Sequence, residues 1–219
     1  MRAGQREALF LALCFAAATL VSLLARDARE RFSEFGFGAP PLLMLSVATV
    51  AGTAALWSLG RGGFFPRGRQ GGGLRAAVVL ATLLAASSIL ADLAGLLPRT
   101  PEIAWPDAWA FYPALAVIDE SLLRLVPLAL VFALVRRAGP AILGAALAGA
   151  LLRTALVAGG LDTPWLIVAG QDLVFGLAGL YLLRRHGLIA LFTLRLVYDL
   201  HWHILWGAAR ASLLFDAAA

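Results

Sequence analysis

Eight ionisable residues of this sequence lie inside long apolar stretches, where charge is costly. Three are arginines and five are acids: Asp92, Asp119, Glu120, Arg124, Arg153, Asp172, Arg195 and Asp199. At the centre of a membrane-spanning helix each such group costs roughly 2.5–3.5 kcal/mol, so it must face a partner or water. A cluster of this kind marks an ion path, a ligand site or an inert salt-bridge network that fixes helix packing.

Helical spacing groups several of these residues. Residues four apart share one face of a helix, which places Glu120 beside Arg124, and Arg195 beside Asp199 and then His203. The spacing therefore predicts two polar stripes that converge on one buried patch.

The remaining polar residues carry weaker predictions. Asp92 stands near the end of its apolar stretch and is interpreted as a solvated or helix-terminal residue outside the site. Asp172 could cap a helix, pair with Arg153 or line a cavity. His201 is interpreted as interfacial.

Seven apolar runs are long enough to position these residues in a membrane. They are Ala8–Ala25, Pro41–Gly60, Ala76–Leu97, Phe111–Val135, Pro140–Ala158, Trp165–Leu183 and Leu188–Trp206. The runs are continuously apolar and lack the alternation of a barrel strand. The sequence predicts an all-α, polytopic transmembrane helical bundle of about seven spans.

Composition supports a single integral membrane domain over residues 1–219. Hydrophobic residues make up 61% of the chain and charged residues only 14%, against about 25% charged in soluble domains. The formal charge of +5 comes from arginine alone. Because these arginines punctuate the apolar runs and form no basic face, we expect the lipid bilayer and not nucleic acid as the partner.

The arginines also predict an orientation. Ten of them fall in the N-terminal tail and the second, fourth and sixth loops, including the pairs Arg136–Arg137 and Arg184–Arg185. Five fall on the opposite side. By the positive-inside rule we expect a cytoplasmic N-terminus, in a bacterial cytoplasmic membrane.

Two segments resemble the motifs of a known family. The first runs from Asp119-Glu120 to Arg124 and is similar to the EExxxR signature of the CPBP family, the CAAX-protease and bacteriocin-processing intramembrane proteases. The second, Arg195 to Asp199 and on to His203, is similar to the family's last motif, HxxxD with a further histidine. The resemblance covers about residues 112–206. It implies hydrolysis of a membrane-bound or prenylated peptide, with Glu120 activating water.

The chain departs from this family at both motif histidines. Arg153 and Arg195 stand where the two histidines belong, and Gly149 stands where the second motif has an aromatic residue. An arginine has no lone pair to act as a base or metal ligand, although it can stabilise an anion. We therefore expect a buried network of Glu120, Arg153, Arg195 and Asp199 in place of a catalytic centre.

Three functions remain open. The first is a CPBP-type peptidase in which Glu120 activates water and His203 partly replaces the missing histidines. The second is a non-catalytic relative that binds a membrane partner or a lipid-tailed anion through Arg153 and Arg195. The third is a small transporter. The absence of an evident internal repeat counts against it. No cofactor and no metal is expected in any of them.

Overall fold

In a computed structural model of the protein, the apolar runs form long helices. The structure describes residues 40–66, 72–97, 107–158 and 165–210, together with some positions between residues 7 and 19. The helices are α1 (Pro41–Arg61), α2 (Gly73–Leu93), α3 (Ala108–Asp119), α4 (Val126–Val135), α5 (Ala138–Ala158), α6 (Trp165–His186) and α7 (Leu188–Asp199). Two π-helical segments, Glu120–Leu125 and Leu200–Trp206, continue α3 and α7. No strand occurs within these described ranges, and the predicted all-helical fold is confirmed.

Five helices are long and apolar enough to cross a membrane. They are Leu42–Arg61, Gly73–Leu93, Ala138–Leu156, Trp165–His186 and Leu188–Arg210. Large apolar side chains such as Val50, Leu151 and Leu166 are exposed on their outer faces. Exposing such faces to hydrocarbon costs no free energy, whereas exposing them to water is unfavourable. These helices therefore fit an integral membrane protein.

The predicted count of about seven spans is not confirmed. The fourth predicted span is helical from Ala108 to Val135, through the π-helical segment. Every 18-residue stretch of it, however, contains Asp119, Glu120 and Arg124, and it is not among the five. The first predicted span, Ala8–Ala25, lies largely outside the described residues.

The π-helical segment Glu120–Leu125 has a local cause in the sequence. Pro127 lies in the first turn of α4; it has no N–H to donate, and its ring crowds the carbonyl of Leu123 four residues earlier. A wider turn relieves that crowding without ending the helix. As a result, Glu120 and Arg124 lie on a bulged turn, and Asp119 lies directly before it.

Contacts between distant parts of the chain fix how the helices are arranged. Ala77 and Ala81 of α2 pack against Ala190 and Leu194 of α7. At the start of α7, the backbone N–H of Leu188 donates to Glu7 Oε2 at 2.6 Å, which satisfies an otherwise unpaired donor of the first helical turn. This hydrogen bond places residue 7 beside the turn between α6 and α7.

Candidate functional site

One buried cluster contains most of the residues singled out from the sequence. Its members come from α3, the first π-helical segment, α5, α6, α7 and the second π-helical segment: Asp119, Arg124, Arg153, Asp172, Arg195, Asp199 and His203. Among them only Arg153 and His203 are more than a tenth exposed as whole residues. Helices far apart in sequence thus meet through their charged residues.

The members form a continuous chain of charge contacts. Asp172 Oδ1 lies 2.6 Å from Arg124 Nη2 and 3.7 Å from Arg153 Nε. Arg153 Nη1 donates to Asp119 Oδ2, which also lies 3.0 Å from Arg195 Nη2. Arg195 Nε donates to Asp199 Oδ2 at 2.9 Å, as the four-residue spacing predicts.

Asp119, and not Glu120, is the central carboxylate in this series of charge contacts. The sequence predicted Glu120 as the partner of Arg153 and Arg195, but no described arginine lies within 4.0 Å of its carboxylate. Glu120 is 0% exposed, and neither of its oxygens has a hydrogen-bond partner among the described residues. Adjacent residues of a helix point roughly 100° apart, so only one of the two can face both α5 and α7.

Arg124 is enclosed between two glycines of neighbouring helices. A Cβ on Gly149 of α5 would lie 2.6 Å from Arg124 Nη1 and would collide with the carbonyl oxygen of Leu123. A Cβ on Gly176 of α6 would lie 3.4 Å from Arg124 Nε. The absence of a side chain at Gly149 therefore leaves room for the guanidinium and the bulged turn.

His203 stands at the end of the chain of charges. Its Nε2 lies 4.0 Å from Asp199 Oδ1. Its ring stacks on Tyr112, with the ring centroids 4.3 Å apart and the planes 14° from parallel. The stacking and the carboxylate together hold the imidazole in one orientation.

A cavity of about 420 Å³ adjoins this cluster. Arg153, Arg195, Asp172 and His203 contribute to its wall. The side chain of Arg153 is 26% exposed, against 2% for Arg124 and 4% for Arg195. Arg153 is thus the arginine of the cluster that a ligand in the cavity can reach most easily.

Sequence reasoning missed part of this wall. Ser88 and Tyr198 both line the cavity, and their hydroxyl oxygens lie 3.0 Å apart. The signal was a pair of serines, Ser87 and Ser88, in an otherwise apolar span.

Asp92 is helix-terminal and lies outside the main cluster, as predicted, but it is not solvated. It is buried, and its Oδ1 lies 2.9 Å from Arg210 Nη2. Its Oδ2 accepts a hydrogen bond of 2.8 Å from Trp206 Nε1. Asp92 therefore ties α2 to the end of the last helix, apart from the main cluster.

Within the described ranges, no three His, Cys, Asp or Glu side chains are grouped as metal ligands would be. Comparisons of the chain with protein-family models, with curated proteins and with solved structures found no match.

Proposed function

We propose that the protein is a non-catalytic membrane protein related to the CPBP proteases, in which Arg153 and Arg195 hold the anionic group of a ligand in the cavity. This proposal rests on which charged side chains line the cavity. Two guanidinium groups line it, whereas Glu120, the carboxylate that would activate water, is completely enclosed. A guanidinium cannot take up a proton, but it donates strong charge-assisted hydrogen bonds to an anion.

The pairing of Arg153 leaves it able to bind such an anion. Its two partners, Asp119 and Asp172, each contact a second arginine: Arg195 at 3.0 Å and Arg124 at 2.6 Å. Arg153 can therefore turn some of its five N–H groups to a ligand without leaving either carboxylate unpaired. The binding role is consequently assigned first to Arg153.

Removing the charge of Arg153 is expected to weaken anion binding. In the Arg153→Gln variant, the dissociation constant for hexyl phosphate, measured by isothermal titration calorimetry in a neutral detergent, should rise about tenfold or more, since charge-assisted hydrogen bonds contribute roughly 1.5–3 kcal/mol each. Arg153→Lys should retain most of the affinity. Arg137→Gln, in the exposed turn before α5, is the matched control and should bind as the parent does. Equal affinity in Arg153→Gln would contradict the proposal.

A second candidate, hydrolysis of a prenylated or membrane-bound peptide, is favoured by one observation. The carboxylate of Glu120 has no hydrogen-bond partner among the described residues. It lies on a π-helical segment, and such bulges occur frequently at functional sites. If the purified parent cleaved a prenylated peptide in detergent and Glu120→Gln did not, the protein would be a peptidase and the non-catalytic proposal would be wrong.

We also propose that the chain crosses a bacterial cytoplasmic membrane seven times with its N-terminus in the cytoplasm. Two contacts support this arrangement. Glu7 bonds to Leu188, and the Arg184 guanidinium lies 6.0 Å from the ring centroid of Phe64. The N-terminal tail and the second and sixth loops, all rich in arginine, therefore share one side of the bundle.

This topology predicts the activity of reporter fusions. Alkaline phosphatase, which is active only outside the cytoplasm, should be active when it is fused after Gly95 and inactive when it is fused after Arg137. A green fluorescent protein fused at the same two positions should show the reverse pattern. Activity of both phosphatase fusions, or of the second alone, would rule out the proposed orientation.

A further inference from the structure

Exposed residues of two neighbouring helices contribute to the wall of the cavity. Ser87 of α2 and Gly170 of α6 both line the cavity and are both exposed, and Val174 of α6 is 53% exposed. Ser87 lies six residues before the end of α2, and Gly170 five residues after the start of α6. At 1.5 Å per residue, both are roughly 8–9 Å inside the ends of their helices. In a bilayer that α2 and α6 cross, a gap between them at this height would face hydrocarbon.

The wall of the cavity combines apolar and polar surface. Leu84, Val168 and Val174 line it with apolar surface. Arg153 and Gln171 add hydrogen-bond donors to the same wall, and donors of this kind match the oxygens of a phosphate. One molecule that satisfies both parts must carry an anionic head on an apolar tail.

From this arrangement we infer that the ligand is a membrane lipid with an anionic phosphate headgroup, which reaches Arg153 sideways through the gap between α2 and α6. The inference rests on the anion-binding role proposed above and adds the class of ligand and its route. A lipid that enters sideways keeps its tail in the bilayer while only its head moves to the arginine. A free phosphate would have to cross apolar surface to reach the same group, at a cost that a tethered headgroup avoids.

The route can be blocked without touching the arginines. In the Ser87→Trp variant, a large ring fills the mouth between α2 and α6. Ala86→Trp is the matched control, because Ala86 is exposed on the same helix but is not part of the cavity wall. Each protein is purified from mixed micelles of phosphatidylglycerol and phosphatidylcholine with identical tails, and the retained lipid is measured by native mass spectrometry. Binding of inorganic phosphate is measured separately by calorimetry.

We expect the parent and Ala86→Trp to retain phosphatidylglycerol over phosphatidylcholine by about tenfold, which corresponds to 1.4 kcal/mol. Ser87→Trp should lose this preference. If Ser87→Trp retained as much phosphatidylglycerol as Ala86→Trp, the lateral route would be wrong. Should the parent bind inorganic phosphate but show no lipid preference, the ligand would be a free anion; the inference would fail while the anion-binding role survived. If Arg153→Gln bound phosphatidylglycerol and inorganic phosphate as well as the parent does, or if the parent bound neither of them, the proposed function itself would fail.

Discussion

The Asp119→Asn variant should unfold with a free energy about 3–5 kcal/mol lower than that of the parent, the usual cost of removing one partner from a buried ion pair. Asparagine has nearly the same shape, so the variant removes charge without creating a cavity. Arg195 would keep Asp199 at 2.9 Å. Arg153 would keep only Asp172 at 3.7 Å, which it shares with Arg124. The guanidinium of Arg153, which is largely shielded with its side chain only 26% exposed, would thus be left without adequate compensation.

Unfolding in increasing sodium dodecyl sulfate, followed by circular dichroism, measures this effect. Asp107→Asn is the matched control, since Asp107 lies at the start of the same helix and makes no side-chain cap hydrogen bond; its stability should change by less than about 0.5 kcal/mol. The double variant Asp119→Asn, Arg153→Met should be more stable than Asp119→Asn alone, because the stranded cation is gone. Strict additivity of the two single changes would show that Asp119 and Arg153 are not energetically coupled.

The same charges that hold the helices together also determine what the cavity can bind. Asp119 and Asp172 each bridge two arginines, so every guanidinium of the cluster has a carboxylate beside it. Full pairing makes the cluster tolerable at this depth. Since Arg153 shares both of its carboxylates, it is the arginine whose pairing is most readily exchanged for a ligand.

Much of the helical fold could be predicted from the sequence because apolar length is a strong signal in a membrane. The runs Ala76–Leu97 and Trp165–Leu183, for example, correspond to α2 and α6 with ends that differ by a few residues. The number of membrane spans was harder to predict from the sequence. Length alone could not show how the charges around Glu120 are accommodated, because that depends on the bulged turn before Pro127 and on neighbours from other helices.

The site was predictable in its membership but not in its pairing. The free-energy cost of placing charged side chains in hydrocarbon singled out Asp119, Arg153 and Arg195. Helical spacing predicted the contact between Arg195 and Asp199. Which of two adjacent acids faces the arginines depends on the rotation of the helix about its own axis. That rotation is set by packing between helices, which the sequence of a single helix does not specify. The pairing of Asp92 with Arg210 was missed for the same reason.

Gly149→Ala should be the most damaging single methyl group that α5 can receive near the cluster. Its Cβ would collide with the carbonyl oxygen of Leu123, and it would lie 2.6 Å from Arg124 Nη1. The backbone of the bulged turn cannot move away without displacing Arg124, whose Nη2 lies 2.6 Å from Asp172. Overpacking of this kind costs about 1–3 kcal/mol, and loss of the ion pair would add to it. We therefore expect the free energy of unfolding of Gly149→Ala to be lower than that of the parent by about 3 kcal/mol or more in the same assay.

Gly139→Ala, on the same helix, separates this collision from the effect of alanine on helix formation. A Cβ at Gly139 meets nothing within 4 Å among the described residues. Alanine favours helix over glycine by about 1 kcal/mol, so Gly139→Ala should be as stable as the parent or slightly more so. If Gly149→Ala matched Gly139→Ala, α5 would not approach the bulged turn closely, and the position of Arg124 between Gly149 and Gly176 would be wrong. A loss confined to Gly149→Ala would instead show that the missing side chain at Gly149 is what allows Arg124 to lie against α5.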